Sequence, residues 1–501
     1  MALDHIERSL RADAENLSAL NLKAVILDRL GRKDEAHAVV NAVRELDPLD
    51  IWSRWLATDI VPQNGQQRLD LAFDLIRCGL LDDALTVLTA QRVDEKDGSG
   101  AMLLYALGHV YGLLGRDAER TEALRRAAAA DSDYVFPSRL EEIVLLEAVI
   151  AQNVKDARAH YYLGNLFYDR RRHEDAIALW EQAAKLDADF PTTWRNLGFG
   201  YFNIRGDASK ALAAFARAVE LAPKDARVWF EYDQLKKRTG AAPEQRLAAL
   251  ETIPELVAMR DDLSLELASL YNQIEQPEAA LKLLLSRRFQ PWEGGEGLVL
   301  AQYVRANLLL GQRALAANDA VGAIRSFEAA WNIPESLSEA KHLLMNLSMI
   351  DYWLGVAYAA NGDKAKAALH WERAAQRRGD FQQMQVQAIS EMTYWRAQAL
   401  VSLGRASEAK QIFEDIHNYS TDLEKQTPKI DYFATSLPAM LLFEEDLLRR
   451  QEIAAKFLRA QALLGLGKMA QAVDLLNEVK TLDGNHQGAA DLLASVETVV
   501  K

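Results

Sequence analysis

The sequence predicts an all-α protein, a right-handed superhelix of stacked helix–turn–helix units. Two adjacent segments within residues 157–223 share one residue pattern with a period of about 34 residues. The matched positions are Leu163-Gly164 with Leu197-Gly198, Phe167 with Tyr201, Ala176 with Ala211, Trp180 with Phe215, and Ala183 with Ala218. Weaker copies of the pattern before and after this pair extend the prediction along most of the chain.

Within one unit, the spacing predicts how a first helix (helix A) packs on a second (helix B). Gly164 and Phe167 fall on the face of helix A that meets helix B. A glycine in a helix costs roughly 1 kcal/mol relative to alanine, so we expect Gly164 to allow a close approach of the two helix backbones. Ala176 and Trp180 belong to a small–large–small stripe on helix B, and Pro223 ends the second unit because proline cannot continue a helix.

About ten units follow one another along the chain, and those of the second half are spaced roughly 42–44 residues apart. This longer spacing predicts longer helices or extra turns. The units lie at 17–48, 65–98, 101–134, 157–190 and 191–223, at Trp229 onward, at 261–288, 304–334 and 354–374, and around Gly404 and Gly467. We expect two parts of one array, residues 1–245 and residues 246–501.

Three segments interrupt the array. Residues 134–153 predict an extra amphipathic helix, residues 286–300 a glycine-rich loop, and residues 417–440 a long polar insertion without strand pairing. Residues 1–13 carry a helix B pattern without a preceding helix A. The sequence therefore predicts the C-terminal part of a longer protein, or a start at a late methionine; the alternative is that residues 1–13 cap the array.

The pattern Leu-Gly…Tyr…Ala…Phe…Ala…Pro resembles the tetratricopeptide repeat. The motifs YVFPSRLEEIVLLEAVI, DARAHYYLGNLFYDRRRHEDAIALWEQA, FPTTWRNLGFGYFN and RRFQPWEGGEG are more specific. They resemble the C-terminal repeat region of large bacterial proteins whose N-terminal half is similar to a mutarotase-like β-sandwich of the carbohydrate-active kind. That sandwich is not in this sequence, so no sugar chemistry is assigned to its residues.

Composition and charge exclude several classes of function. The net charge of −14 disfavours binding to nucleic acid or to an anionic membrane surface. No apolar run is long enough to span a bilayer and the N-terminus lacks a signal-peptide core, which predicts a cytoplasmic location. The single cysteine, the scattered histidines and the lack of a catalytic motif predict no metal, no cofactor and no enzyme activity.

Helix A residues that do not pack on helix B are expected to line a concave groove. In the best-matched block they combine aromatic rings with Arg and Asn, which suits an extended peptide or the face of a sugar. The alternative is a solvated face with some rings packed between units. The groove candidates are Arg158, Tyr161, Asn165, Tyr168, Asp169, Thr192, Arg195, Asn196, Phe199, Phe202, Asn203, Arg227 and Phe230.

These positions also resemble, in part, the carboxylate clamp of chaperone-binding tetratricopeptide domains. Asn165 and Asn196 match the two clamp asparagines, and Arg227 could replace a clamp lysine. Tyr161 and Glu231 stand where cations are required, and a glutamate there would repel a carboxylate. We therefore do not expect this chain to bind an acidic C-terminal tail.

The loop FQPWEGGEG is a second candidate site, with Trp292, Glu293 and Glu296 beside glycines. Its glutamates would repel a phosphate, and GGEG is not a phosphate-binding pattern. A structural role, with Trp292 filling the seam between units, is the favoured interpretation.

The sequence as a whole predicts a non-catalytic scaffold that binds a protein or peptide partner. The alternative is the accessory half of a carbohydrate-active protein, with its β-sandwich as the partner. A scaffold should bind a partner by itself, whereas an accessory half should bind little alone.

Overall fold

The computed structural model describes residues 1–292, 294–382, 385–428 and 442–500. These residues form helices joined by turns and loops, with one short antiparallel strand pair. The all-α prediction is therefore confirmed. The chain divides into two compact units, Met1–Arg205 and Gly206–Lys501, which are described separately.

Unit 1 is a succession of antiparallel helix pairs that ends in a π-helical turn at Gly200–Ile204. Its helices are α1 Ala2–Ala12, α2 Leu17–Arg29, α3 Lys33–Leu46, α4 Ile51–Thr58, α5 Gly65–Arg77, α6 Leu81–Thr89, α7 Gly100–Leu113, α8 Asp117–Ala129, α9 Leu140–Gln152, α10 Ala157–Asp169, α11 His173–Leu186 and α12 Pro191–Phe199. Helix α9 is the extra helix predicted within residues 134–153.

Unit 2 continues with helix pairs and contains the strands β1 Asp380–Gln382 and β2 Gln385–Gln387. Its helices are α13 Ala208–Leu221, α14 Ala226–Arg238, α15 Pro243–Glu251, α16 Pro254–Met259, α17 Asp261–Gln273, α18 Pro277–Leu285, α19 Leu298–Ala316, α20 Ala320–Trp331, α21 Ser348–Ala360, α22 Lys364–Gln376, α23 Glu391–Ser402, α24 Ala406–Leu423, α25 Leu447–Gly465, α26 Met469–Leu482 and α27 Gln487–Val500. A short 3₁₀ turn lies at Glu335–Leu337.

The two units divide at 205/206, whereas the sequence suggested a division at 245/246. That position falls within α15, Pro243–Glu251, which is part of unit 2. The buried Arg246 on α15 pairs with Asp233 on α14, with N–O distances of 3.0 and 2.5 Å, and with Glu266 on α17 at 2.8 Å. These contacts join the helices on both sides of position 245/246.

The recurring spacing of a glycine and a large residue is explained by side-chain packing within each hairpin. A Cβ on Gly164 in α10 would lie 2.6 Å from Cδ1 of Trp180 in α11 and 3.2 Å from the Ala176 carbonyl oxygen. The nearest neighbour of position 164 is therefore the tryptophan ring. The backbone contact that we expected, to the Ala176 carbonyl, is longer. Gly355 in α21 receives the Trp371 ring of α22 in the same way.

The second repeat of the tandem block is one residue longer than the first between its helix A and helix B. Phe167 matches Tyr201, but the left-handed turn residue Arg171 (φ +60°) matches Gly206 (φ +63°). The π-helical turn at Gly200–Ile204 accommodates this extra residue, because its wider turn places one more residue per turn.

The longer spacing of the second half comes from long helices and from two long connectors. The connector before α21 and the connector before α23 bind each other: the Asn346 N–H donates to Asp380 Oδ1 at 2.9 Å, and its side chain donates to the Gly379 carbonyl at 2.8 Å. The His342 ring also stacks on Phe381, with centroids 4.0 Å apart. The strand pair β1–β2 lies in the second connector and was not predicted from the sequence.

Helix α27 contacts helices that are distant in sequence within unit 2. Arg305 on α19 forms a two-pronged ion pair with Asp491 at 2.9 and 2.7 Å. Gln487 donates to Ser269 Oγ on α17 at 2.7 Å and accepts from Gln302 on α19 at 3.1 Å. Just before α27, Asn485 accepts a hydrogen bond from Arg246 at 2.8 Å.

Of the predicted polar insertion at 417–440, the first residues belong to α24 and residues 429–441 lie outside the described residues. The helix B pattern of residues 1–13 forms α1, which packs on α2 without burying a residue fully.

Candidate functional site

The helix A residues of the tandem block are joined by a chain of side-chain hydrogen bonds. Asn165 on α10 accepts with Oδ1 from Trp180 Nε1 at 3.0 Å and from Asn196 Nδ2 on α12 at 2.9 Å. Arg195 donates in turn to Asn196 Oδ1 at 3.4 Å. Both asparagines are half-buried. The two positions that match clamp asparagines thus bind each other and connect neighbouring A helices.

Two arginines of this face lie on aromatic rings. The Arg158 guanidinium is 3.6 Å from the centroid of the Phe190 ring and 3.4 Å from Asp187 Oδ2. The Arg195 guanidinium is 4.9 Å from the Phe199 centroid. Such contacts hold both guanidinium groups in place against aromatic rings.

The two predicted groove tyrosines lie against the interior. Tyr161 is 6% exposed, and its ring contacts Phe190 at 4.8 Å and Tyr162 at 5.4 Å between centroids. The ring of the half-buried Tyr168 lies tilted against the rings of Trp180 and His173 of α11, with centroids 5.1 and 4.7 Å away. These two rings contribute to packing, as the alternative interpretation of the face allowed.

Phe199 and Phe202 are half-buried at the end of α12 and in the π-helical turn. Asp169 is exposed at the end of α10, whereas Thr192 and Asn203 are half-buried. We refer to Arg158, Asn165, Arg195, Asn196, Phe199 and Phe202 as the unit 1 face.

The remaining groove candidates belong to unit 2. The Arg227 side chain is 53% exposed, and its Nε lies 4.0 Å from the carboxylate of the buried Glu231. The Arg260 guanidinium lies 5.8 Å from the centroid of the half-buried Phe230 ring.

The glycine-rich loop has the geometry of a structural element. Trp292 packs against the core that includes Phe289 and Tyr303, and a Cβ on Gly295 would overlap its ring. The exposed Glu296 accepts a hydrogen bond from the Gly294 N–H at 2.8 Å. The other sequence candidate of this loop, Glu293, lies outside the described residues.

A cavity in unit 2 was missed by sequence analysis. It has a volume of about 430 Å³ and is lined by α19, α21, α23, α25, α27 and the two connectors. The signal available in the sequence was the longer spacing of the second half, because the additional connector residues form part of its wall. The sequence pattern did not reveal that α27 would complete it.

No helix among the described residues is long and apolar enough to cross a lipid bilayer. The same residues contain no cluster of three His, Cys, Asp or Glu side chains that could hold a metal ion. Cys78 is half-buried at the end of α5, where burial raises the pKa of its thiol.

Comparison with known proteins identifies the repeats. A TPR repeat model matches residues 164–204, and a tetratricopeptide repeat model matches residues 2–51. The chain is also similar to the crystal structure of MamA, with 22% identity over 41% of this chain and 96% of that chain and a TM-score of 0.17. The crystal structure of the APC/C hetero-tetramer Cut9–Hcn1 matches with 13% identity over 99% of this chain and 92% of that chain, with a TM-score of 0.26.

The chain therefore contains tetratricopeptide repeats, an architecture that generally serves protein–protein interaction and not catalysis.

Proposed function

We propose that this chain is a non-catalytic scaffold that binds a protein or peptide segment through the unit 1 face. The observation that supports it is the chain of contacts from Trp180 through Asn165 and Asn196 to Arg195, which fixes polar and aromatic groups on adjacent A helices. Arg and aromatic side chains held in place lose little conformational freedom on binding, and such residues dominate the energetics of interfaces. A cytoplasmic location is part of this proposal.

A selection experiment tests the proposal. A phage-displayed heptapeptide library is selected on the immobilised full-length chain, and the affinities of enriched peptides are measured by fluorescence anisotropy. We expect the double variant Arg158→Ala/Arg195→Ala to weaken binding by about tenfold or more, as for interface hot spots. Unchanged affinity in the double variant would contradict the assignment of this face.

The matched control removes two arginines from another surface of unit 1. Arg116 and Arg125 are exposed and pair with Glu119 and Glu122, one helical turn away. The variant Arg116→Ala/Arg125→Ala has the same net charge as the test variant, and we expect it to bind like the wild type. A loss of affinity shared by both variants would show nonspecific attraction by charge.

The alternative, an accessory half that acts beside a mutarotase-like β-sandwich, is supported by the motif resemblance. Coding sequence upstream of Met1 tests it: a sandwich domain encoded in frame would favour the alternative, and an in-frame stop beside a ribosome-binding site would exclude the fused arrangement.

A further inference from the structure

The cavity of unit 2 has the size and lining of a small-molecule site. Its volume of about 430 Å³ lies within the ~300–1,000 Å³ range of ligand pockets. Large apolar side chains from three helices dominate its wall, which suits an apolar ligand. They include Met349, Trp353, Met392, Trp395 and Phe457.

Three residues that line the cavity each have one buried polar atom without a hydrogen-bond partner among the described residues. These atoms are Arg305 Nη1, Trp353 Nε1 and Gln461 Oε1, on α19, α21 and α25. Arg305 is 9% exposed and Gln461 2% exposed. An unsatisfied buried donor or acceptor costs roughly 1–3 kcal/mol. A ligand that draws these side chains towards the cavity and pairs with them therefore recovers that free energy. Arg305 and Trp353 can each donate a hydrogen bond to a ligand, and Gln461 can accept one.

The charges around the cavity disfavour an anion. The Arg305 charge is paired with Asp491, and Lys341 donates to the Trp331 carbonyl and lies 4.5 Å from the Trp331 ring. Two further carboxylates, Asp380 and Glu391, also line the cavity. An additional negative charge here would meet more carboxylates than cations.

We propose that this cavity binds a neutral, largely apolar small molecule that carries an amide group. An amide supplies a carbonyl oxygen that can accept from Arg305 or Trp353 and an N–H that can donate to Gln461. Its hydrocarbon part fills the space between the methionine and tryptophan side chains. This site is distinct from the unit 1 face and does not depend on the proposed scaffold function.

The walls of the cavity favour a small molecule over a peptide. One face of α27, with Gln487, Gly488, Asp491, Leu492 and Ser495, lines it together with the sequence-distant α19 and α21. The two connectors contribute Lys341, Asn346, Asp380 and Phe381. A chain segment laid along the A helices would have to displace α27, whereas a small ligand fits beside it.

Two fluorescent probes of matched shape test the binding of a neutral apolar ligand. Phenylnaphthylamine is neutral and has one N–H donor, and anilinonaphthalene sulfonate adds a negative charge to the same ring system. We expect the full-length chain to enhance the fluorescence of the neutral probe at micromolar concentration and to bind the sulfonate at least about tenfold more weakly. Equal or stronger binding of the sulfonate would overturn the charge argument.

A blocking variant locates the probe. Ala301 on α19 lines the cavity and is exposed, so Ala301→Trp adds an indole there without a change in the core. Ala316 is exposed on the same helix outside the cavity, and Ala316→Trp is the matched control. We expect the neutral probe to lose binding in Ala301→Trp alone. Equal binding by both variants would place the probe elsewhere and overturn the proposal.

Competition tests the amide. Decanamide should displace the neutral probe at a concentration at least about tenfold lower than decanoate, which has the same chain and a charged carboxylate. Gln461→Leu should reduce the affinity for decanamide about fivefold and leave the probe enhancement in place. A failure of decanamide to compete would overturn the proposal. The proposal would also be overturned if neither the probe nor decanamide bound and a peptide selected from the library lost its binding in Ala301→Trp alone.

Discussion

Single side chains set how closely the two helices of a hairpin pack, and Gly164 is the clearest case. Replacing Gly164 by alanine adds a Cβ that overlaps the Trp180 ring, which is 3% exposed and has little room to move. The overlap costs about 1–3 kcal/mol, and the gain in helix propensity returns roughly 1 kcal/mol. We expect Gly164→Ala to lower the thermal unfolding midpoint measured by circular dichroism.

The same substitution at Gly112 in α7 should have the opposite sign. There a Cβ would meet only the flexible end of the Arg120 side chain, 3.0 Å away at Nε. Gly112→Ala should raise the midpoint, because the helix-propensity gain of up to about 1 kcal/mol is not opposed by a rigid neighbour. If both variants shifted the midpoint equally, the ring contact would not be the reason for glycine at position 164.

A second residue-scale prediction concerns acid stability and Glu266. Burial alone would raise the pKa of Glu266, but the charges of Lys237 and Arg246 and their hydrogen bonds outweigh burial and lower the pKa to about 2. Because the pKa in the folded state is below the ordinary value of 4.5, its contribution to stability is complete above pH 4.5. It is lost as the pH falls from 4.5 through about 2.

The contribution of Glu266 is on the order of 3 kcal/mol, since one pKa unit corresponds to about 1.4 kcal/mol. We expect Glu266→Gln to be less stable than wild type at pH 7 in urea titrations, with the difference shrinking towards pH 2. Glu255→Gln, at an exposed position on α16, is the matched control and should show a small difference at every pH. A difference for Glu266→Gln that did not change with pH would exclude the ion pairs as its cause.

At the scale of elements, the sequence predicts the helices that follow the repeat period. It does not predict the structure of segments that depart from that period. The repeated positions of Gly164 and Gly355, and of Trp180 and Trp371, were recognisable because each hairpin uses the same residue types at the same places. That each glycine faces the tryptophan ring of its own hairpin was not predicted, since the sequence led us to expect a backbone contact. The alignment of the two repeats showed one additional residue before Gly206. That this residue is accommodated by a π-helical turn depends on backbone hydrogen bonding, which the side-chain pattern does not encode. The β1–β2 connector forms through contacts with another connector, and its sequence has no repeat to match.

The contacts of α27 give a prediction at this scale. Asp491→Asn removes the charge partner of Arg305, whose side chain is 10% exposed. We expect faster amide hydrogen exchange within α27 and unchanged exchange in α10, because the loss affects one docked helix. Asp474→Asn, at an exposed site on the neighbouring α26, is the control and should leave exchange in α27 unaltered. Uniform acceleration across unit 2 would show that α27 does not open independently.

At the scale of the whole molecule, the sequence predicted the all-α fold and the position of the best repeats, but not the cavity. The unit 1 face could be named because the A-helix positions follow from the period. The cavity could not, because Arg305, Trp353, Gln461 and Asp491 lie on four helices that no local pattern connects. Whether a helix such as α27 docks on α17 and α19 is decided by long-range pairs, which sequence spacing alone does not reveal.

The last prediction concerns the boundary between the two units. Fragments that begin at residue 206 and at residue 246 differ in the ion pairs and hydrogen bonds that they retain. A cut at 205/206 separates the two compact units, and fragments 1–205 and 206–501 should each show a helical spectrum and cooperative thermal unfolding. A cut at 245/246 separates Arg246 from Asp233 and Asn485 from the Lys237 carbonyl, and it leaves the buried charge of Arg246 with fewer partners.

Breaking a buried ion pair costs on the order of 3–5 kcal/mol, so fragment 246–501 should unfold at a lower temperature than fragment 206–501. Adding Arg246→Met to fragment 246–501 should recover part of the loss, because it removes the charge that the cut leaves with fewer partners. Equal midpoints for the two fragments would mean that the ion cluster around Arg246 does not hold α14, α15 and α17 together, and the boundary would then lie near residue 245.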